Sequence, residues 1–353
     1  MKIILSMDGG GIRGIVPAAV LAYLENRIQE MMNDNRIRLV NLVDFVAGTS
    51  TGSIIGGLML IPGTVKNQYV VPMYTMWEIV QMYFEFGGAV FKKNDLWYDI
   101  RTMWGLLGPK FPERNIETPL LQYMDHYKLK DLLKPCMFSG YDIDKRKAIF
   151  YTNSDERQEY ADYYLKDVVR GSTSIPSIFS PAYFNEGVNI NTIVDGGTFA
   201  NNPSLAAYIE VSKTIFKGEN KPKKHSVKDV LVISLGTGSY SKKPYTFSKT
   251  KRWGKAQWIV PALDVMASSH SEVTNYEMEK IFAANDSSQN YIRLNPPIVL
   301  GSTNALDASK ENLSKLLKDA QNYTKENKEM LDDLAQKICR IKCLHNWKEE
   351  DLD

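Results

Sequence analysis

Twice within its first sixty residues the chain runs from an apolar strand through a glycine turn into a helix, and nothing else in it restricts the fold as tightly. The first unit carries LSMDGGGIRG, Leu5 to Gly14, and the second carries GTSTG, Gly48 to Gly52. Ile3–Met7 reads as a buried strand, and Val16–Met32 as a helix with Ala19, Leu21, Leu24 and Ile28 on its apolar face. Val43–Ala47 is the next strand and Ser53–Leu60 the next helix, which Pro62-Gly63 ends. Strand-like segments return at Cys136–Ile143, Ile190–Val194 and Val230–Leu235. This alternation predicts an α/β fold of three layers, a mostly parallel central sheet with helices on both faces.

Gly9-Gly10-Gly11-Ile12-Arg13-Gly14 fits G-x-G-x-x-G after a strand and before a helix, the setting of a dinucleotide site. A dinucleotide fold also needs an acidic residue at the end of its second strand. Here that strand closes on Ala47-Gly48, Asp44 lies at its beginning, and Asp8 abuts the loop, where it would repel a pyrophosphate. GTSTG points elsewhere. It is the nucleophile elbow G-x-S-x-G, in which small flanking residues, Gly48 and Gly52, let a tight turn project the Ser50 hydroxyl above the sheet. Backbone N–H groups of the glycine loop on the neighbouring strand, with the helix N-terminus near Thr51, then suit an oxyanion hole better than a phosphate site. None of His126, His225, His270 and His345 sits in a motif, and each reads as a surface or packing residue. The better candidate for a base is Asp195 in VDGGTFANNPS, delivered by the strand Ile190–Val194, with Gly196 and Gly197 opening the turn, although Asp-Gly-Gly alone is an ordinary turn. An exposed aspartate of pKa ~3.9 is a weak base, so this one has to sit near the serine in a partly desolvated pocket.

Composition excludes several classes. With 353 residues and 44% hydrophobic content, the chain can bury a large core, and no linker or internal repeat divides it. Its 43 basic and 41 acidic residues leave +2, so no overall field favours a nucleic-acid polymer. Three cysteines suggest reduced thiols, and Met1-Lys2 leads straight into a strand without a signal peptide, so a cytoplasmic protein is expected. Cys339-x-x-x-Cys343 with His345 lacks a fourth ligand, so neither metal nor cofactor is expected. Pro72–Phe86, PMYTMWEIVQMYFEF, is interrupted by Glu78, Gln81 and Glu85 and falls short of the ~20 apolar residues of a membrane span. It reads as a largely buried helix with one polar edge, or as an interfacial lid. Asp307–Ile338 repeats apolar residues at helical spacing and predicts one or two packed helices.

Together DGGGIRG at Asp8–Gly14, GTSTG, STSIPSIFSPAYF at Ser172–Phe184, DGG at Asp195–Gly197 followed by NNP, and SLGTG at Ser234–Gly238 resemble the patatin-like phospholipase family. The resemblance implies a Ser50–Asp195 dyad, a Gly9–Gly11 oxyanion loop, and hydrolysis of phospholipid acyl esters through an acyl-enzyme. Arg13 matches the family's basic loop residue, able to steady the loop or attract a lipid phosphate. Beyond about Pro296 the resemblance fades, which divides the chain into a catalytic domain, 1–300, and a C-terminal helical extension packed on it, 301–353. Compact bacterial members of the family include antiphage effectors activated by cyclic nucleotides, so such an activator is compatible with the chain, as is a constitutive lipase.

Two other classes stay open: an α/β-hydrolase triad using Asp195 with His225 or His270, against which the elbow comes early, and a non-catalytic binding protein on the same fold. Tyr240–Trp258, YSKKPYTFSKTKRWGKAQW, holds Lys242, Lys243, Lys249, Lys251, Arg252 and Lys255 with interleaved aromatics and no acid. It suits peripheral contact with an anionic membrane at the inner face, a solvated loop, or a clasp for an anionic activator or partner.

Overall fold

In the computed structural model, β1 (Lys2–Met7) lies inside the sheet, parallel to β2 (Phe45–Gly48) on one edge and to β9 (Val230–Leu235) on the other. The structure describes residues 1–66, 69–92, 98–99, 102, 107–154, 159–186, 189–214, 216, 224–240 and 245–343. Lys242, Lys243 and His345 lie outside the described residues. β11 (Tyr291–Leu294) extends the parallel run beyond β9, and β5 (Cys136–Asp142) extends it beyond β2. The other partners of β5 run against it. β6 (Lys147–Thr152) and β8 (Asn189–Asp195) are both antiparallel to β5, and β7 (Ala182–Glu186) is antiparallel to β8. Two small pairs stand apart, β3 (Pro62–Lys66) with β4 (Tyr69–Pro72) and β10 (Ser239–Tyr240) with β12 (Pro297–Ile298).

Period-two alternation on β1 divides the molecule into layers. Ile3, Leu5 and Met7 pack into a core with α1 (Ile15–Met32), α2 (Leu39–Leu42), α3 (Thr51–Leu60), α4 (Met76–Val90), α5 (Arg114–Met124) and α6 (Leu165–Ser172). Ile4 joins Phe45, Ala47 and Val232 on the opposite face, beneath Ala207 and Val211 of α7 (Ser204–Val211) and Met278 and Phe282 of a long helix, α9 (Lys255–Ala283). Helices therefore cover both faces, as expected. α10 (Lys310–Glu326) and α11 (Lys328–Cys343) bury Leu313, Leu316, Leu331 and Ile338 in the same core as α1, and Tyr23 and Arg27 of α1 both hydrogen-bond Asp332.

One segment differs from the sequence expectation. Pro72 ends a strand, and the helix starts at Met76, where Thr75 and Glu78 cap each other reciprocally. In the basic stretch from Tyr240, the described part holds a single turn, α8 (Phe247–Thr250), and the start of α9, with irregular chain before and between them. No helix among the described residues is long and apolar enough to cross a membrane.

Candidate active site

β2 ends at Gly48, α3 begins at Thr51, and Ser50 between them holds φ 53° and ψ −121°, a strained conformation for a residue with a side chain. The turn is tight because α3 presses on β1: a Cβ on Gly52 would collide with the Met7 carbonyl. Hydrogen bonds secure the elbow on several sides. The Thr49 N–H donates to Met7 O (3.1 Å), Thr49 Oγ1 to Ala200 O (2.7 Å), and the Ser50 N–H to Ser172 Oγ (3.0 Å). Ser50 is left 4% exposed.

The topology of β5 explains how Asp195 reaches it. β6 occupies one edge of β5 along Met137–Asp142, so β2, paired at Cys136–Phe138, and β8, paired at Gly140–Asp142, must share the other. Running in opposite directions, β2 and β8 meet end to end, and Asp195 arrives just past Gly48. The sequence placed Asp195 at the end of its strand, but a parallel strand is not what carries it. The Asp195 N–H donates to Ser174 O (3.0 Å), and its Oδ1 accepts from the Gly197 N–H (2.6 Å). Oδ2 is sealed from solvent without a partner of good geometry. Burial pushes this carboxyl up to about 7, with the Gly197 amide and then the Ser50 hydroxyl pulling the other way. The Ser50 hydroxyl thus lies close enough to favour the anion without making a hydrogen bond of good geometry to Oδ2.

On the neighbouring strand the glycine loop divides its labour. The Gly9 N–H is committed to Asn201 O (3.1 Å), while those of Gly10, Gly11 and Thr51 have no acceptor among the described residues. Gly11 turns the chain with φ +59°, against the Ala305 carbonyl that also accepts the Ile12 N–H (2.9 Å). Arg13 points inward, 8% exposed, with Nε donating to Gly10 O (3.3 Å). It steadies the loop.

Asp8 does not face the loop's open side, contrary to the repulsion argued from sequence. It is buried and clasped by Arg293 (2.8 and 2.6 Å), and Ser271 Oγ also donates to it (3.0 Å). Burial opposes the Arg293 charge, but Asp8 outweighs it and holds the guanidinium above its usual pKa. Ser271 in turn receives Asn201 Nδ2 (2.9 Å), so α9 is tied beneath the loop. Asn201 follows the DGG signature, whereas Ser271 and Arg293 carry no local signal.

Two cavities meet at Ser50 and Gly11. One is an apolar slot between α3, α4 and α5, lined by Ile54, Leu58, Ile79, Met82, Phe86 and Leu120. The other is a larger cleft, lined by Asp195, Arg13, Lys110, Tyr240, Ala305 and Leu306. The sequence reading of Pro72–Phe86 as a mostly buried helix holds for α4, whose inner side walls the slot. No described histidine lines either cavity: His126 is exposed beside Asp125, and His225 is buried against Phe216.

A family model described as Patatin-like phospholipase matches residues 5–208, a span that includes the glycine loop, the elbow and Asp195. The chain is 32% identical over 307 residues to Patatin-like protein 4 of Arabidopsis thaliana, covering 82% of this chain and 75% of that one. It is 27% identical over 358 residues to Patatin-T5 of Solanum tuberosum, covering 97% and 89%. It is also 28% identical over 341 residues to Probable inactive patatin-3-Kuras 1 of Solanum tuberosum, covering 93% and 87%.

Proposed function

The chain belongs to the patatin-like phospholipase family, and on that premise we propose that it cleaves fatty-acyl esters of phospholipids through Ser50 and Asp195. One observation carries the reading: a strained elbow serine and a buried, proton-attracting aspartate face each other where an apolar slot opens into a cleft. The acyl chain fits the slot and the head group the cleft. Ser50 Oγ attacks the ester carbonyl as its proton passes to Asp195, and the amides of Gly10, Gly11 and Thr51 receive the oxyanion. Collapse expels the alcohol, which takes the proton back. Water, deprotonated by Asp195, then releases the fatty acid. Because one relative bears a name that marks it inactive, the case for catalysis rests on this geometry and not on membership alone. The test is fatty-acid release from defined phospholipid vesicles by the purified chain, with mass-spectrometric location of an alkyl fluorophosphonate label. Label on Ser50 together with free fatty acid is expected, and absence of both ends the reading.

A phospholipid enzyme has to meet a bilayer, and the segment after Tyr245 suits an anionic one. Lys249, Lys251, Arg252 and Lys255 are exposed beside Phe247 (81% exposed) and Trp258 (40%). The first acid after them, Asp264, is already held by the hydroxyls of Tyr240 and Tyr245. Tyr245 and Val260, which flank these cations in the chain, line the cleft that contains Ser50. Each cation contributes ~1 kcal/mol near such a surface before screening. Replacing Lys249, Lys251 and Arg252 with Gln should therefore weaken binding to phosphatidylglycerol-containing vesicles by about tenfold or more at low salt. Hydrolysis of a soluble ester should stay near normal. Equal vesicle binding by variant and parent would remove this role.

A further inference from the structure

We propose that Arg13, Tyr240 and Asp264 form a positioning relay that aims the Gly11 amide at the oxyanion, so that α9 sets the strength of the oxyanion hole. This rests on the acyl-hydrolase reading. In a planar trans peptide unit the C=O and the following N–H point in opposite directions. The Gly10 carbonyl and the Gly11 N–H belong to one such unit, so whatever holds the carbonyl also aims the amide. Two donors hold it, Arg13 Nε and the Arg13 backbone N–H, each at 3.3 Å.

Arg13 does not stand alone. Its Nη1 donates to the Tyr240 hydroxyl (2.6 Å), and its guanidinium lies 5.3 Å from the centre of the same ring. The Tyr240 hydroxyl donates onward to Asp264 Oδ1 (2.7 Å), and Tyr245 donates to Oδ2 (3.0 Å). A phenol thus bridges a buried cation to a carboxylate on α9, where low polarity strengthens each bond. The preceding peptide unit is set the same way by different residues. Gly9 O accepts from Thr237 Oγ1 (3.0 Å) and Asn201 Nδ2 (3.3 Å), which aims the Gly10 amide.

Tyr240→Phe keeps the ring under the guanidinium and removes only the bridging hydroxyl. Deleting an oxyanion donor outright costs about 10²–10³-fold, so loosening one should cost about tenfold in kcat. KM for a soluble short-chain nitrophenyl ester should change less than about twofold, because binding in the apolar slot does not use the relay. Inactivation by an alkyl fluorophosphonate should slow in parallel, since its phosphoryl oxygen needs the same amides. Asp264→Leu should behave like Tyr240→Phe, whereas Asp264→Asn, which keeps an acceptor for the phenol, should recover most of the loss. Parent-like kcat and labelling in Tyr240→Phe would overturn the relay, as would a raised KM and lowered Tm with kcat unchanged. A parent that takes no label at all would instead overturn the hydrolase reading.

Discussion

Ser50→Ala is expected to drop ester hydrolysis to background, a loss of about 10⁴-fold or more, while leaving the fold as stable as the parent. In the proposed reaction the substitution deletes the atom that would form the acyl-enzyme, and it leaves the backbone bonds in place, including the N–H donated to Ser172. Alanine inherits the φ of 53° that serine endures, so the strain persists. Ser50→Gly would be equally inactive but relieved of it. Strain of about 1–3 kcal/mol set against glycine's extra unfolded-state entropy of about 0.5–1 kcal/mol predicts a glycine variant about 1 kcal/mol more stable than the alanine one. Fatty-acid release and denaturant melts of the three proteins measure both effects. Residual turnover in Ser50→Ala would assign the nucleophile elsewhere, and equal stability of the two variants would deny the elbow its strain.

What the sequence disclosed was local. Strand, glycine turn and helix follow one another within ten or so residues, so β1, the elbow and the loop are readable from spacing and turn chemistry. The direction of β8 is not, because it depends on which edge of β5 lies free, and β2 leaves that edge vacant beyond Phe138. The supports of the site are also remote in sequence. Arg293 meets Asp8 across 285 positions and Tyr240 meets Arg13 across 227, distances over which no periodicity carries information. Ala305 lies beyond Pro296, in a stretch that offers no motif, yet its carbonyl holds the Ile12 amide. The cap at Thr75-x-x-Glu78 was there to be read and would have moved the start of α4 past Pro72.

Asp195→Asn should be nearly as inactive as Ser50→Ala, because an amide cannot take the serine proton, yet it should melt at a higher temperature than the parent above pH 7. The sign follows from where the proton is held. Asp195 titrates at about 7 in the fold, against 3.8 when free, so the folded state binds this proton more tightly than the unfolded chain. Its contribution to stability is complete below about pH 4 and is lost as pH rises through about 7. Asparagine removes the titration, keeps an acceptor for the Gly197 amide, and leaves no buried charge to desolvate. A shift of about 3 units caps the gain at the order of 4 kcal/mol at pH 8, falling towards zero near pH 4. The parent's kcat/KM should correspondingly rise through an acid limb near pH 7, when Asp195 becomes able to act as base. A histidine base would give a similar limb, so the pH profile alone does not choose between them. Substitution does: His225→Ala and His270→Ala should keep activity within a few-fold, since neither lines the cavities that meet at Ser50. A histidine variant as inactive as Asp195→Asn would establish a triad, and a melting gap that stays flat with pH would refute the raised carboxyl on which the dyad depends.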